Sequence, residues 1–343
     1  MKVWLLENDN RDQVKLQSSY SIDERKLETF LQNHSSGNIF QTVSMYKLYK
    51  CVKGYQPNYM AVVDEKGDIQ GLMLSCIIAE QGVKTFFSSR SIITGGPIAK
   101  ENDSRVIDIL LENYLQQIRK KAIYSQCRNI YFGELHKEIF ARRGFDYKDH
   151  YTIIIDLDKT VEDLFGAVHK KKRNNIRRAV KRGVSFRQLS DHEDIEKAID
   201  LIQSTYKRIR LPGPPRSLLE NAINFFPDNV YFFGAYYENE IIAAKISLGY
   251  KSMIYDWYSG HDLSYSYLCA NDVIAWNCVL WAKKNHFDTY DMGGAGRPGV
   301  NYGVRNFKLR FGGILKNTGR FTQIHKSLLY MAGSSFINLR SKI

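Results

Sequence analysis

Two hydrophobic rhythms alternate along the chain. From residue 59 to 78, YMAVVDEKGDIQGLMLSCII places two apolar runs around Lys66-Gly67-Asp68, which predicts a β-hairpin. Over residues 102–123 the spacing changes. Ile107, Leu110, Leu111, Tyr114, Leu115, Ile118 and Ala122 recur every three or four positions, as on one face of an amphipathic helix. NIYF (129–132) reads as a short buried strand, and IFARRGFDYKDHYTIIIDL (139–157) as a short helix, a glycine turn and an alternating strand.

The second half repeats that order. VYFFGAYYENEIIAAKISLGY (230–250) predicts a hairpin and SMIYDWYSG (252–260) a further strand. NDVIAWNCVLWAKKNH (271–286) predicts a helix, with Asn271 or Asp272 as candidate caps at its N-terminus. FDTYDMGG runs as a strand into a glycine loop, and NFKLRFGGILKNTGRFT (306–322) parallels FARRGFDYKDHYTII. Shared element order points to an internal duplication of one α+β unit. The expected domains are residues 1–158 and 159–343, the latter including a helical connector over 161–228. Within that connector, 161–183 reads as one helix ending at Gly183, a second helix starts near Asp191, and LPGPPR (211–216) breaks the chain before a third.

Composition narrows the class. At 343 residues the chain has length for about two domains, and 44% hydrophobic with 25% charged residues is ordinary for a globular protein. Five widely spaced cysteines form no CxxC or CxxH pair, which argues against a structural zinc site or a disulfide framework and favours a reducing compartment. The opening MKVWLLENDNRDQVK is too soon interrupted by charge for a secretory segment, and no run reaches the ~20 apolar residues of a membrane span. A cytoplasmic location is expected. The net charge of +13 predicts anionic partners: phosphates, nucleic acid or an acidic membrane face.

Candidate chemistry lies in four places. Eight of the thirteen residues from Lys170 to Arg182 are Lys or Arg, either a solvated helix face or a phosphate-binding one. On a helical wheel Lys172 falls on the apolar face with Val161, Phe165, Val168, Ile176 and Ala179, so its ammonium either snorkels outward or points into a cleft. Gly-Ala-Gly-Arg-Pro-Gly (294–299) is a literal GxGxxG, but VNYGVRNF after it reads as non-helical. A dinucleotide site is therefore rejected in favour of a close-approach loop beside a ligand. NFKLRFGG, read as a strand, sets Lys308 and Arg310 opposite Phe307, Leu309 and Phe311; in a cleft, Lys308 could stabilise developing negative charge. The scattered histidines offer no metal-ligand pair and no Ser-His-Asp spacing, so no metal is expected.

Four segments carry a resemblance: Trp257-Tyr258-Ser259-Gly260, Trp281-Ala282-Lys283, Tyr290-Asp291-Met292-Gly293-Gly294, and Phe307-Lys308 through Phe311-Gly312-Gly313. In this order they resemble the C-terminal part of the Fem family, the peptidoglycan interpeptide-bridge aminoacyltransferases, and related acyltransferases. KKRNNIRRAVKRGVSF is similar to the family's basic helix, and IFQTVSMYKLY (39–49) to its N-terminal entry. The resemblance implies an α+β fold of two tandem GCN5-related N-acetyltransferase (GNAT)-like domains. It also implies transfer of an acyl or aminoacyl group to an amine, with no permanently bound cofactor. The donor would be aminoacyl-tRNA or acyl-CoA and the acceptor a phosphate-bearing envelope precursor. Peripheral contact with the inner membrane surface is compatible with that acceptor.

Residue by residue, Lys308 matches the lysine taken to stabilise the tetrahedral intermediate, and Tyr258 a substrate-contacting tyrosine. Arg216 matches the arginine that grips the precursor's phosphate. The family has Tyr four residues after that arginine; here the position is Glu220, and Arg208 or Arg210 are alternatives. Lys47 and Lys50 are both candidates for an N-terminal lysine of the family. Asp291 is a candidate acceptor for the amine's proton; its other role would be to fix the Gly293-Gly294 turn. The readings that follow are an aminoacyl-tRNA-dependent enzyme of cell-wall precursor synthesis, an acyl-CoA-dependent N-acyltransferase acting on an amino sugar of a surface polysaccharide, and a basic binding module without catalysis.

Overall fold

In the computed structural model, residues 2–6, 23–79, 88–130 and 136–340 are described. The chain divides into two compact units, one of Met1–Asp149 with Thr318–Ile343 and one of His150–Asn317.

The first unit begins with β1 (Lys2–Leu6), α1 (Glu24–Asn33) and α2 (Val43–Lys50). The predicted hairpin follows as β2 (Tyr55–Asp64) and β3 (Ile69–Ile78). Then come β4 (Arg90–Thr94), β5 (Ile98–Ala99), α3 (Ser104–Ile118), β6 (Tyr124–Arg128), α4 (Lys137–Arg142) and β7 (Asp146–Lys148). Asp103 caps α3 by accepting from the Arg105 amide at 2.8 Å. The predicted apolar stripe of α3, Ile107 through Ile118, is buried. Each such aliphatic side chain contributes about 1.5–3 kcal/mol. The strand expected at 129–132 lies earlier, at Tyr124–Arg128; Tyr131 and Phe132 are outside the described residues, as is most of the opening segment after Leu6.

The second unit runs β8 (Tyr151–Asp156), α5 (Val161–Ala167), α6 (Lys170–Lys181), β9 (Ser185–Leu189), α7 (His192–Arg208) and α8 (Arg216–Phe225). It continues with β10 (Val230–Tyr237), β11 (Glu240–Tyr250), β12 (Met253–His261), α9 (Ala270–Lys284), β13 (Thr289–Gly294), α10 (Gly303–Leu309) and β14 (Ile314–Asn317). Its sheet has the order β14-β8-β13-β12-β11-β10-β9. Its core gathers Ile153, Ile155, Phe233, Ile254, Trp276, Cys278, Tyr290 and Phe311. The chain then returns to the first unit with β15 (Arg320–Ile324) and α11 (Ser327–Arg340). Strand β15 pairs with both β6 and β7.

Four expectations change. The boundary drawn at 158/159 falls instead at 149/150, and residues after 317 leave the second unit. Strand β8 belongs to the second sheet because Ile154–Asp156 pair with Thr289–Asp291 and Tyr151–Ile154 with Ile314–Asn317. The helix expected over 161–183 breaks at Val168, whose ψ is 131°, and His169 caps α6 through its ring nitrogen. NFKLRFGG begins in a helix, α10, and not in a strand. Phe307 and Phe311 stand four apart, which fits helical spacing as well as alternation, and their ring centroids lie 5.2 Å apart. Neither Asn271 nor Asp272 caps α9; Cys269 occupies that position in the left-handed region with no side-chain cap.

Candidate active site

Strands β12 and β13 are parallel neighbours over only three pairs, Met253–Tyr255 with Thr289–Asp291. Beyond them the two part. From Asp256 onward β12 pairs with β11 alone, while Gly294 pairs with Thr152 of β8. The separating part of β12 also carries a bulge: Ile246 faces Tyr258, Ser247 faces Asp256, and Trp257 is the extra residue. Bulges re-aim side chains. Here one brings half-buried Trp257 and Tyr258 together, ring centroids 5.0 Å apart, with Tyr258 edge-on to Tyr206 at 6.0 Å.

The end of β13 is held by Asp291. This carboxylate is buried, and its Oδ1 accepts from the Gly293 amide at 2.7 Å and from the Thr152 hydroxyl. Burial pushes its pKa up to about 6, opposed by the Thr152 and Gly293 hydrogen bonds and by Lys308. Gly293 has φ +74°, and a Cβ there would stand 3.2 Å from the Asp256 carbonyl and 3.7 Å from Lys308 Nζ. The turn thus needs glycine both for its dihedral and for the close approach.

Lys308 projects from α10 and donates to the Gly294 carbonyl at 3.0 Å. Desolvation lowers its pKa to about 8; Asp256 and Asp291 pull it back up, and Lys245 pushes it further down. Lys308, Asp291, Gly293 and Gly294 therefore converge where the two strands separate. Arg305, on the same helix, orders the Gly294–Gly299 loop by donating to the carbonyls of Ala295 at 2.7 Å, of Val300 at 3.2 Å and of Arg297.

The other expected residues lie elsewhere. Lys172 is buried, paired with Asp272, and its Nζ sits 4.1 Å from the Phe307 ring centroid. Asn175 adds a 2.7 Å bond to the same carboxylate. Lys172 neither snorkels nor reaches a cleft: it ties α6 to α9, with its charge already neutralised. The Arg216 guanidinium is enclosed by Glu220 at 2.6 Å and by Glu196 and Asp200. Three carboxylates around one cation repel a phosphate instead of inviting one. Arg208 donates to the His261 carbonyl at 3.1 Å, and Arg210 is exposed at the end of α7 with φ +55°. In the first unit, Lys47 pairs with Glu24 at 2.7 Å and Lys50 lies 5.7 Å from the Tyr46 ring.

Sequence reasoning passed over Lys245, Asp256, Tyr290 and Thr152. Lys245 and Asp256 form an ion pair at 2.6 Å inside the sheet, and the Tyr290 hydroxyl also donates to Asp256. Desolvation opposes the charge on Lys245, but Asp256 outweighs it and raises the Lys245 pKa. Burial, then Asp256, raises that of Tyr290. The available signal was a lone Lys in IIAAKISL and a lone Asp in YDWY, each a charge inside an apolar strand. Among the described residues no cluster of His, Cys, Asp and Glu is arranged to hold a metal ion, and no helix is long and apolar enough to cross a membrane.

Residues 168–308 match the family described as acetyltransferase (GNAT) domain. No curated protein matches the chain by sequence. Among solved structures, the chain is similar to FemX with a TM-score of 0.69 at 16% identity, over 91% of this chain and 98% of that one. It is also similar to L-PGS from Bacillus licheniformis, with a TM-score of 0.56 at 15% identity over 91% and 96% of the two chains. A third likeness is to a tandem GNAT protein from the clavulanic acid biosynthesis pathway, with a TM-score of 0.55 at 8% identity over 88% and 93%. At these identities the likeness is one of fold. The second unit thus carries a GNAT acetyltransferase domain, and the chain, an α+β protein of tandem GNAT fold, is an acyltransferase.

Proposed function

We propose that this protein transfers an aminoacyl group from aminoacyl-tRNA to an amine of a cell-envelope precursor of the peptidoglycan type. The observation that carries the reading is the Lys308 ammonium held against Gly294 where β12 and β13 separate. The fold likeness to FemX over almost the whole of both chains supports it, as does that to L-PGS.

The chemistry asks little of the protein. An ester or thioester is already activated, so the neutral amine attacks its carbonyl carbon directly. A C–N bond forms, the carbonyl oxygen becomes an oxyanion, and the C–O or C–S bond then breaks. The leaving oxygen or sulfur takes up a proton as the amine nitrogen loses one. Lys308 donates to the oxyanion, a contact typically worth ~3–4 kcal/mol for one well-placed donor. Asp291 is assigned to the turn and not to proton transfer, because it is buried and already accepts from Thr152 and Gly293. Tyr258, beside Trp257 at the bulge, is assigned to substrate contact.

One observation favours a second reading, an acyl-CoA-dependent N-acyltransferase acting on an amino sugar of a surface polysaccharide. The three carboxylates around Arg216 oppose the phosphate grip that a nucleotide-linked or lipid-linked muropeptide would need. The test is to incubate purified protein with charged tRNA or acyl-CoA and an amine-bearing precursor, and to look for the amide by mass spectrometry. Product from charged tRNA supports the first reading. Product only from acyl-CoA removes it.

A further inference from the structure

The Lys245–Asp256 pair takes no part in holding the glycine turn, and its burial needs a reason. Nζ of Lys245 donates to Asp256 Oδ2 at 2.6 Å; the other oxygen accepts from Ser247 at 3.3 Å and from the Tyr290 hydroxyl. Apolar residues of similar volume often serve a core as well as or better than a buried ion pair. Packing alone therefore does not call for these charges.

Their position does. Asp256 is the first residue of β12 after its last pair with β13, Tyr255 with Asp291. Its carbonyl lies 3.2 Å from the point that a Gly293 Cβ would occupy, and Lys308 Nζ lies 3.7 Å from that same point. The ion pair therefore borders the space in which the Lys308 ammonium sits. We propose that Lys245 and Asp256 are positioning residues for Lys308, a paired charge that fixes the seat of its ammonium and the field around it. The inference rests on the reading of Lys308 as the group that meets the oxyanion.

The two charges act on Lys308 in opposite senses: Asp256 favours its charged form and Lys245 opposes it. From β13, Asp291 also favours the charged form, and Tyr290 is occupied with Asp256. From β12, the Tyr255 hydroxyl lies 3.7 Å from the same Gly293 point, and His150, just before β8, lies beside Gly294. Cys278 of α9 faces Lys245.

The test reads Lys308 directly. Its acylation by acetic anhydride is followed by mass spectrometry of the Lys308 peptide across pH, because only the neutral amine reacts. Asp256→Asn should lower the midpoint by about one pH unit and Lys245→Met should raise it by a similar amount, the scale of one adjacent charge. Ser247 and Tyr290 still donate to Asp256 in the latter variant, which keeps the carboxylate ionised near pH 8. Lys245→Arg should restore the wild-type midpoint. A role confined to packing predicts no such opposition of sign; shifts in the same direction, or none, overturn the proposal.

Wild-type protein supplies a check that needs no variant. A midpoint set by buried charges should hold between about 0.05 M and 1 M salt, whereas one set by surface charges is screened. Movement by a full unit overturns the proposal. If the midpoint shifts as expected while the alkaline limb of amide formation does not follow, the pair's hold on Lys308 stands and the catalytic role given to Lys308 falls.

Discussion

The backbone amide of Gly293 donates to Asp291 Oδ1 at 2.7 Å, closing a turn whose outer side meets the Lys308 ammonium. A buried carboxylate thus shapes the backbone, and the backbone in turn seats a cation. The acid and the base that sequence reading set side by side as partners in proton transfer are arranged one behind the other. Only Lys308 is placed to meet a substrate.

Lys308→Met removes the donor while keeping most of the side chain's volume. Loss of one oxyanion donor typically costs about 10²–10³ in kcat. The expected outcome is a fall of that size in amide formation, with the melting temperature close to wild type. The pair of measurements separates a catalytic loss from an unfolded protein. Full retained activity would remove Lys308 from the mechanism.

The pH dependence follows from the depressed Lys308 pKa of about 8. Activity that needs the ammonium should fall as pH rises through about 8, well below the ordinary lysine range near 10.4. Stability moves the other way. Between about 8 and the unfolded value the unfolded chain binds more protons, so the Lys308 contribution to stability rises with pH across that window. A pH–rate profile beside denaturant melts at pH 7 and pH 9 checks both signs.

Gly293→Ala places a Cβ on a residue at φ +74° and 3.2 Å from the Asp256 carbonyl. The left-handed region costs a non-glycine residue roughly 1–2 kcal/mol. The close contact adds to this and shifts the turn that seats Lys308. The variant should melt lower by that order and lose activity out of proportion. Gly294→Ala should be milder, because its Cβ would meet only His150 at 3.4 Å.

Much of this arrangement was legible in the chain. The hairpins, the α3 stripe and the order Tyr290-Asp291-Met292-Gly293-Gly294 before Phe307-Lys308 all appear in the structure as read. The exceptions have physical causes. The exit of the chain at 317 is a choice of strand partner, and β15 could not be assigned to β6 and β7 by periodicity. Lys308 was read on a strand because Phe307, Leu309 and Phe311 alternate, although two of them also satisfy a helical interval. The Lys172 and Arg216 partners come from distant segments, Asp272 and Glu196, so spacing along the chain carried no trace of them.

Lys172 and Asp272 form a buried pair, with side-chain exposures of 10% and 5%. Removing one partner of such a pair leaves an uncompensated charge and typically costs 3–5 kcal/mol. Asp272→Ala should destabilise by about that much. The double variant Lys172→Met with Asp272→Leu should recover most of the loss, because both charges leave together. A double-mutant cycle by denaturant melts measures the coupling. Weak coupling would mean that Lys172 has another anionic partner in solution.

Arg216 separates two uses of one residue. If it gripped a substrate phosphate, Arg216→Ala would raise the KM of a phosphate-bearing acceptor tenfold or more and leave stability nearly untouched. The structure instead surrounds it with Glu196, Asp200 and Glu220, at a side-chain exposure of 39%. Exposed pairs of this kind contribute roughly 0–1 kcal/mol each. Together they join α8 to α7, since Glu196 and Asp200 lie on α7. The expected outcome is an unchanged KM with a modest loss of stability, by about the worth of one or two such pairs. Glu196→Gln should reproduce part of that loss, which a phosphate ligand's neighbour would not. Steady-state kinetics and melting curves on the two variants decide it: a KM that rises for Arg216→Ala alone would restore the phosphate role.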